Sequence, residues 1–392
     1  MRRPDATALF DTVGAHEPRF LAELAHLVNI DCGSYTPGGV NQVADFVTAH
    51  LGELGATVER IGHLPGPGER QLGDLVIGRL SGTGPRLLLI GHMDTVFDPG
   101  TAAARPYRTK GRHALGPGVT DMKGGLLAGL HAIAALHELG QRPALTFVAN
   151  PDEEIGSPFS TPHIRALAAQ HDAAFVLECA RANGDIVSAR KGIADIEITL
   201  TGRAAHAGVE PEKGRSAIVE AARQVIALHA LNGRWPTVTV NAGQISGGTR
   251  PNVVAAECRI ELDLRAATTA EFDEASDAVT AIVTHPSLEG VTGSLRRIAG
   301  HPPMEKSATS ARLVELAQEI ATDLGFTIRD AATGGASDAN TCAAMGLPAL
   351  DGLGPVGGDD HSTDEWLDLD SIVPRTALLA GLVSRAGEAI GG

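Results

Sequence analysis

Histidine and carboxylate side chains follow four short apolar segments of the chain, at the point where each segment ends. They are His92 and Asp94 after residues 87–90, Glu153 and Glu154 after 144–148, Glu178 after 173–177, and Asp359, Asp360 and His361 after 348–351. Gathered at one place, imidazole and carboxylate groups suit zinc or another divalent ion that accepts nitrogen and oxygen ligands. Crowded carboxylates repel one another strongly without a cation, so their convergence would itself predict a metal site.

A glycine-rich loop at residues 116–125 adds Asp121 immediately before a predicted helix. An aspartate at that place often only caps the helix, and adjacent glutamates are usually solvated charges at a helix start. A lone histidine near a strand end is also most often a surface residue. Convergence changes this balance, because a bridging carboxylate can hold two ions about 3.5–4 Å apart.

The elements that must position these residues alternate between strands and helices. We predict strands at 87–90, 144–148 and 173–177, with helices at 124–139 and 161–170 between them. Short, continuously apolar strands separated by helices predict an α/β fold with a mostly parallel sheet and helices on both faces. Ligand sites in such sheets lie at the carboxyl ends of the strands, so the four segments would meet at one edge.

The pattern changes after the turn dipeptide at residues 183–184, where alternating strands begin. The order strand, helix, strand, strand, helix, strand predicts an α+β, ferredoxin-like (βαββαβ) domain. Its predicted elements are strands at 186–200, 237–245, 253–264 and 291–298 and helices at 215–231 and 269–283. We therefore expect an inserted domain at residues 186–298, and a catalytic domain made of residues 1–185 and 299–392.

Composition excludes several kinds of partner. The chain has 392 residues and a formal net charge of −15, and aromatic residues make up only 3% of it. Nucleic acids require basic patches and stacking rings, and anionic membrane surfaces also require positive charge, so neither partner is expected. Four scattered cysteines, no secretory leader and no apolar run of about 18 residues predict a cytoplasmic protein with free thiols.

Together these motifs resemble the M20 family of dinuclear zinc peptidases and deacylases, and look most like its glutamate carboxypeptidase branch. The resemblance covers nearly the whole chain, and the matching segments are residues 91–94 (GHMD), 116–125, 152–157 (DEEIGS), Glu178, 206–208 (HAG) and 361–362 (HS). It implies an enzyme that holds two zinc ions, although cobalt or manganese accepts the same ligands. By the family pattern the metal ligands are His92 and Glu178 for one ion, Glu154 and His361 for the other, and Asp121 as the bridge. The peptide bond from Asp121 to Met122 is expected to be cis.

The resemblance also assigns catalytic roles. Glu153 matches the general base, which deprotonates the attacking water and passes the proton to the leaving amine. Asp94 matches the carboxylate that holds the imidazole of His92 in its metal-binding tautomer. His206 matches a histidine that stabilises the oxyanion in the partner subunit, which implies a homodimer formed through the inserted domain.

Substrate contacts follow the pattern less closely. Asn252 and Arg265 match positions that bind the free carboxylate of the substrate, and Arg250 is a second candidate for this role. Gly335 lies in a loop before a helix, where main-chain N–H groups could hold a carboxylate. Departures from the family are Cys179, where relatives often have proline, and the acidic pair Asp359 and Asp360, which could orient His361 or select a cationic substrate group.

The leading hypothesis is a zinc-dependent exopeptidase that removes a C-terminal acidic residue, which the resemblance implies is glutamate, from a small peptide or N-acyl conjugate. The alternative is an aminoacylase or N-acyl-amino-acid deacylase with the same metal chemistry. A third hypothesis, a metal-binding scaffold without catalysis, predicts the loss of Glu153 or of a ligand, and every one of these residues is present.

Overall fold

The computed structural model describes residues 5–391, which form two compact units. The larger unit runs up to Ser188, resumes at Lys306–Ala332 and continues from Ser337. The smaller unit comprises Ala189–Glu305 and Thr333–Ala336. The two segments of the smaller unit therefore interrupt the larger unit at two places in the sequence, after Ser188 and after Ala332.

The observed unit boundaries differ slightly from the predicted domain boundaries. The smaller unit begins at Ala189 rather than at 186 and ends at Glu305 rather than at 298, because its last strand continues to His301. It also takes in Thr333–Ala336, which the sequence assigns to the catalytic domain. The main-chain N–H of Lys191 donates to the carbonyl of Thr333 at 3.0 Å, which holds that short segment in the smaller unit.

A six-stranded sheet forms the core of the larger unit. Its strands, in spatial order, are Thr57–Ile61, Leu75–Leu80, Pro143–Asn150, Thr83–His92, Ala173–Val176 and Ala349–Leu350. The last four run parallel, and the first two add an antiparallel edge. Residues 87–90 are all fully buried. Since successive side chains of a strand point to opposite faces, both faces of the sheet are covered, which confirms the predicted α/β class.

Nine helices belong to the described part of the larger unit: Ala6–Val28, Pro37–Glu53, Thr101–Ala104, Gly124–Glu138, Thr161–Ala168, Ala308–Asp323, Asp338–Ala344, Ile372–Arg385 and Gly387–Ile390. The helix Gly124–Glu138 is apolar on every side, and almost all of its residues are buried. Such a helix must lie inside the protein, and it packs against the sheet and the helices Ala6–Val28 and Ile372–Arg385.

Short elements complete the larger unit. A four-stranded sheet has the order Gly357–Gly358, Trp366–Asp368, His113–Leu115 and Arg108–Lys110. The chain enters the glycine-rich loop of Asp121 directly from His113–Leu115, and His361 lies between Gly357–Gly358 and Trp366–Asp368. Pairing of Trp366–Asp368 with His113–Leu115 therefore brings two of the candidate segments together. Turns of 3-10 helix occur at Glu153–Ile155 and Leu369–Ser371, and the strands Ile186–Arg190 and Asp330–Thr333 form a separate pair.

The smaller unit contains an antiparallel sheet and two helices. The strand order is Thr239–Gly247, Glu257–Ala266, Gly192–Thr201 and Thr292–His301, and the helices are Ala217–His229 and Thr269–Thr284, with a 3-10 turn at Pro211–Lys213. Residues of Gly192–Thr201 alternate between buried and more exposed positions, as in a sheet with one face covered. This arrangement confirms the predicted βαββαβ order.

Within residues 5–391, no helix combines the length and the apolar character that crossing a lipid bilayer requires.

Candidate metal centre

Three neighbouring parallel strands deliver the candidate residues to one edge of the large sheet. His92 is the last residue of Thr83–His92, and Glu178 follows Ala173–Val176 by two residues. Glu153 and Glu154 begin the 3-10 turn after Pro143–Asn150. Because adjacent strands lie about 4.8 Å apart, side chains at their carboxyl ends can contact one another. The structure thus brings these residues together as predicted.

Asp121 lies between the two imidazoles. Its Oδ1 is 3.0 Å from Nε2 of His92, and its Oδ2 is 3.1 Å from Nε2 of His361. The peptide bond from Asp121 to Met122 is cis, as the family resemblance implies. Just after this bond, a Cβ on Gly125 would lie 1.8 Å from the carbonyl oxygen of Leu177. Only glycine lets the helix start approach the strand of Glu178 so closely.

Two further carboxylates complete the cluster. Glu178 Oε1 is 3.6 Å from Nε2 of His92, and Glu154 Oε2 is 3.1 Å from Nε2 of His361. Ligand atoms of His92, Asp121 and Glu154 lie within 4.8 Å of one another, as do those of His92, Glu153 and Glu178. We call these six residues, with His361 included, the metal cluster.

Asp94 makes different contacts from those that the family pattern implies. Nδ1 of His92 is 3.0 Å from the main-chain carbonyl oxygen of Asp94, and the Asp94 carboxylate is farther away, at 3.5 Å. The two carboxylate oxygens instead accept the main-chain N–H groups of Glu153 and Glu154, each at 3.1 Å. The Ser34 hydroxyl donates to the same carboxylate at 2.6 Å. Asp94 therefore holds the turn that carries the two glutamates.

The protonation of His92 tests whether a cation fits the cluster. A carbonyl oxygen only accepts hydrogen bonds, so Nδ1 of His92 must carry a proton to bond Asp94. In the neutral imidazole, Nε2 then directs a lone pair at the oxygens of Asp121 and Glu178. Lone pairs of three groups face one another stably only when a proton or a metal ion lies between them. Two imidazoles and four carboxylates in this arrangement fit a divalent metal ion.

The pKa values of the cluster show the same need for positive charge. Burial opposes the charged form of His92, but Glu178 and the hydrogen bond to Asp121 raise its pKa well above the usual value. Hydrogen bonds to Asp121 and Glu154 raise the pKa of His361 to about 11. Burial and the neighbouring carboxylates raise the pKa of Glu153 well above its usual value, although His92 acts in the opposite direction. Without a metal, these residues hold protons that a divalent ion would replace.

A buried polar network under the turn escapes the sequence analysis. Nδ2 of Asn150 donates to Asp338 at 2.6 Å and to the Ser157 hydroxyl at 2.8 Å, and that hydroxyl donates to Asp338 at 2.7 Å. Ser157 has a positive φ of 54°, which the network holds in place. Asn150 and Asp338 are 188 residues apart in the chain, so no local spacing could have indicated their contact.

The two acidic residues before His361 contact other groups. Trp366 donates from Nε1 to Asp359 at 3.1 Å, and the Cys179 thiol lies 3.6 Å from Asp360. Neither carboxylate is hydrogen-bonded to His361 within the described part of the chain. His361 itself adopts a positive φ of 61°, so its loop conformation directs the imidazole.

Four predicted site residues lie in the smaller unit. His206 is exposed and accepts the Gly208 N–H at 3.2 Å, and its segment pairs with Asn252 and Val253, since the Ala207 N–H donates to the Asn252 carbonyl at 3.0 Å. The structure therefore brings His206 and Asn252 side by side.

Arg265 is already hydrogen-bonded within the smaller unit. Its Nε is 3.0 and 3.1 Å from the two oxygens of Asp263, and its Nη1 donates to the Gly334 carbonyl at 2.9 Å. The neighbouring Gly335 carbonyl accepts from Nη1 of Arg190 at 3.2 Å. The Arg250 side chain is exposed and makes no hydrogen bond to any other described residue. Both candidate arginines have donors for a ligand, because Arg265 uses only part of its five N–H groups in these bonds.

Comparison with known proteins identifies the family. The model of the peptidase family M20/M25/M40 matches residues 88–385. Carboxypeptidase G2 of Pseudomonas sp. (strain RS-16) is 31% identical over 385 residues, which cover 97% of this chain and 92% of that protein. Acetylornithine deacetylase of Edwardsiella ictaluri is 28% identical over 387 residues, covering 93% and 97% of the two chains.

Solved structures show the same fold. Aminopeptidase PepT from Bacillus cereus superposes with a TM-score of 0.76 at 24% identity, and the match covers 94% of this chain and 98% of that one. The family match spans most of the chain and includes every residue of the metal cluster. This chain is therefore an enzyme of the peptidase family M20/M25/M40.

Proposed function

We propose that the enzyme hydrolyses the amide bond before a C-terminal acidic residue, glutamate above all, and that it uses two zinc ions held by the metal cluster. The position of Asp121 is the observation that carries this proposal, because its two oxygens face different imidazoles at 3.0 and 3.1 Å. His92 and Glu178 would hold one ion, Glu154 and His361 the other, and Asp121 both. When bound, the ions supply Lewis-acid chemistry that stabilises negative charge on the amide carbonyl oxygen.

Glu153 is our proposed general base. It takes a proton from water as the water oxygen bonds to the carbonyl carbon, and it gives that proton to the nitrogen as the C–N bond breaks. Burial raises its pKa, so the carboxyl group binds a proton readily. Its N–H bond to Asp94 at 3.1 Å holds the turn in place during both transfers.

Similarity to carboxypeptidase G2 over nearly the whole chain supports carboxypeptidase activity, and the resemblance of the motifs to the glutamate carboxypeptidase branch implies the preference for glutamate. Arg265 is our proposed ligand of the substrate carboxylate, and Arg250, whose side chain has no hydrogen-bond partner among the described residues, is the second candidate. His206, Asn252 and Gly335 remain proposed contacts with the substrate. A homodimer formed through the smaller unit and a cytoplasmic location also stay predictions.

A second candidate function is the deacylation of N-acyl amino acids. Its support is the similarity to acetylornithine deacetylase over 93% of this chain. Both reactions cleave an amide near a free carboxylate, so a substrate panel separates them. The zinc-loaded enzyme should hydrolyse N-acyl-glutamate and dipeptides that end in glutamate faster than N-acetylornithine and other N-acetyl amino acids. A preference for N-acetylornithine would replace the first function with the second.

The neighbouring glutamates allow a matched test of the chemistry. Glu153→Gln should retain two zinc ions and lose activity by about 10³-fold or more, because a general base contributes about 10²–10⁴-fold. Glu154→Gln should lose metal as well as activity. Zinc content after gel filtration and initial rates would be measured for both variants. Substantial activity in Glu153→Gln would show that another group is the base.

A further inference from the structure

Glu365 is a buried carboxylate beside the metal cluster with no assigned role. It lies four residues after His361, and only 1% of it is exposed. Its Oε2 accepts the Gly118 N–H at 2.8 Å, and its Oε1 accepts the N–H groups of Thr120 and Asp121 at 2.9 and 3.1 Å. A single side chain therefore binds three main-chain donors of the loop that carries Asp121.

These donors have few other partners. Asp121 has non-helical angles, with φ −114° and ψ 91°, and Gly118 has a positive φ of 71°. The loop therefore cannot satisfy its N–H groups by regular helical bonding, and a buried N–H without a partner is costly. On its other side, the buried ammonium of Lys123 donates to the carbonyls of Pro117 and Ile30, each at 3.1 Å. Two buried side chains, Glu365 and Lys123, thus hold the loop.

The position of this loop matters because one carboxylate serves two imidazoles. Asp121 contacts His92 and His361 at 3.0 and 3.1 Å through different oxygens. Any displacement of its main chain toward one histidine lengthens the contact with the other. The hydrogen bond from the Asp121 N–H to Glu365 holds the main chain of Asp121 itself, from which the bridging carboxylate extends.

We propose that Glu365 is a positioning residue for the metal pair. It holds the main chain at residues 118–121, so that the Asp121 carboxylate is placed between the two histidines before any metal binds. The inference rests on the proposed role of Asp121 as the bridging ligand. Hydrogen-bond partners behind the ligands of metal sites commonly change metal affinity by about 10–100-fold when they are removed.

Glu365→Gln is the most direct variant, because it keeps the shape of the side chain. The amide oxygen can still accept, but the NH₂ group that replaces the other oxygen is a donor and would face main-chain N–H groups. A matched control exists in the smaller unit. Glu220 is also 1% exposed and accepts the N–H groups of Ser287 and Leu288, each at 2.9 Å. Glu220→Gln perturbs a buried loop anchor of the same kind, remote in sequence from every metal ligand.

Co²⁺ titration of the metal-free proteins tests the proposal, with affinity and visible absorption as readouts. We expect Glu365→Gln to bind Co²⁺ at least about tenfold more weakly, with an altered spectrum, and Glu220→Gln to match the wild type within about twofold. Wild-type affinity and spectrum in Glu365→Gln would overturn the inference, as would equal weakening in both variants. If the wild type bound no Co²⁺, the proposed function itself would fail.

Hydrogen exchange of the wild type covers the case in which Glu365→Gln does not fold. In the metal-free protein, the amides of Gly118, Thr120 and Asp121 should exchange slowly, because Glu365 binds them without metal. Fast exchange that slows only after Co²⁺ is added would overturn the inference, since the metal would then order the loop.

Discussion

Two groups of imidazoles and carboxylates lie in the larger unit, and they neutralise charge in different ways. The helical histidine cluster consists of Glu23, His16, His50 and His131 with Arg19. Glu23 contacts Nε2 of His50 and Nε2 of His131, each at 2.8 Å, and Arg19 at 2.7 Å. The metal cluster has similar contact distances, but four carboxylates face two imidazoles there.

The difference is in the cations that the chain supplies. In the helical histidine cluster, one carboxylate faces a guanidinium and two imidazoles. In the metal cluster, no lysine or arginine among the described residues forms an ion pair with Asp121, Glu153 or Glu154. A short distance from histidine to carboxylate is therefore no evidence of a metal site by itself. The excess of buried negative charge is the signal, because bound protons or a metal ion must neutralise it.

Metal removal should produce the largest difference between the two clusters. A chelator should abolish activity. If each ion was present at a concentration about a thousand times its Kd, its removal should lower the free energy of unfolding by about 4 kcal/mol per ion. Urea unfolding of the wild type with and without chelator measures this effect. A Glu23→Gln variant should show the same chelator-dependent loss. An unfolding free energy that is the same with and without the chelator would contradict metal binding.

Acid should affect the helical histidine cluster through His131. Burial lowers its pKa to about 4 from the usual 6.5, against the opposing hydrogen bond to Glu23. The unfolded chain therefore binds this proton at higher pH than the folded one. Its contribution is fully present above pH 6.5 and decreases as the pH falls toward 4, by about 3 kcal/mol in total.

Chelated samples of wild type and His131→Gln, unfolded in urea between pH 4 and 7, would measure this dependence. The unfolding free energy of the variant should decrease less as the pH falls. Because the metal cluster titrates in both proteins, its contribution cancels in the difference between the two curves. Parallel curves would mean that His131 does not titrate as proposed.

Loss of the carboxylate charge in the helical histidine cluster should have a smaller effect. Glu23→Gln removes a carboxylate that faces a guanidinium and two imidazoles, which should cost about 2 kcal/mol of unfolding free energy. Its Co²⁺ affinity should equal that of the wild type. A large loss of metal affinity would show that the two clusters are coupled, and that the comparison between them is wrong.

The smallest effect is expected at the surface of the same cluster. His16 contacts Glu138 at 3.0 Å, but the Glu138 side chain is 61% exposed. Exposed ion pairs contribute little, so Glu138→Ala should change the unfolding free energy by no more than about 0.5 kcal/mol. Urea unfolding at neutral pH measures it, and a loss comparable to that of Glu23→Gln would contradict this ranking.

Sequence alone predicted the sheet edge and the metal cluster, because both depend on local patterns. Apolar runs located the strands, and the carboxyl ends of parallel strands share an edge, so His92 and Glu178 had to approach each other. The ends of this strand were predicted less accurately. It runs from Thr83 to His92, so it begins four residues before the predicted start at 87 and ends two residues after the predicted end at 90. Hydrogen bonding between neighbouring strands, rather than side-chain type, sets those limits.

Contacts between distant segments were decided only by the tertiary structure. Glu365 and the N–H groups that it binds are separated by 244 to 247 residues, and the main-chain groups that it binds carry no mark in the sequence. The main-chain N–H groups that Asp94 accepts, 59 and 60 residues away, were missed for the same reason. A sequence determines which side chains can bind a metal, because that depends on their chemistry. Which groups hold those side chains in position depends on the path of the whole chain, and only the folded molecule determines it.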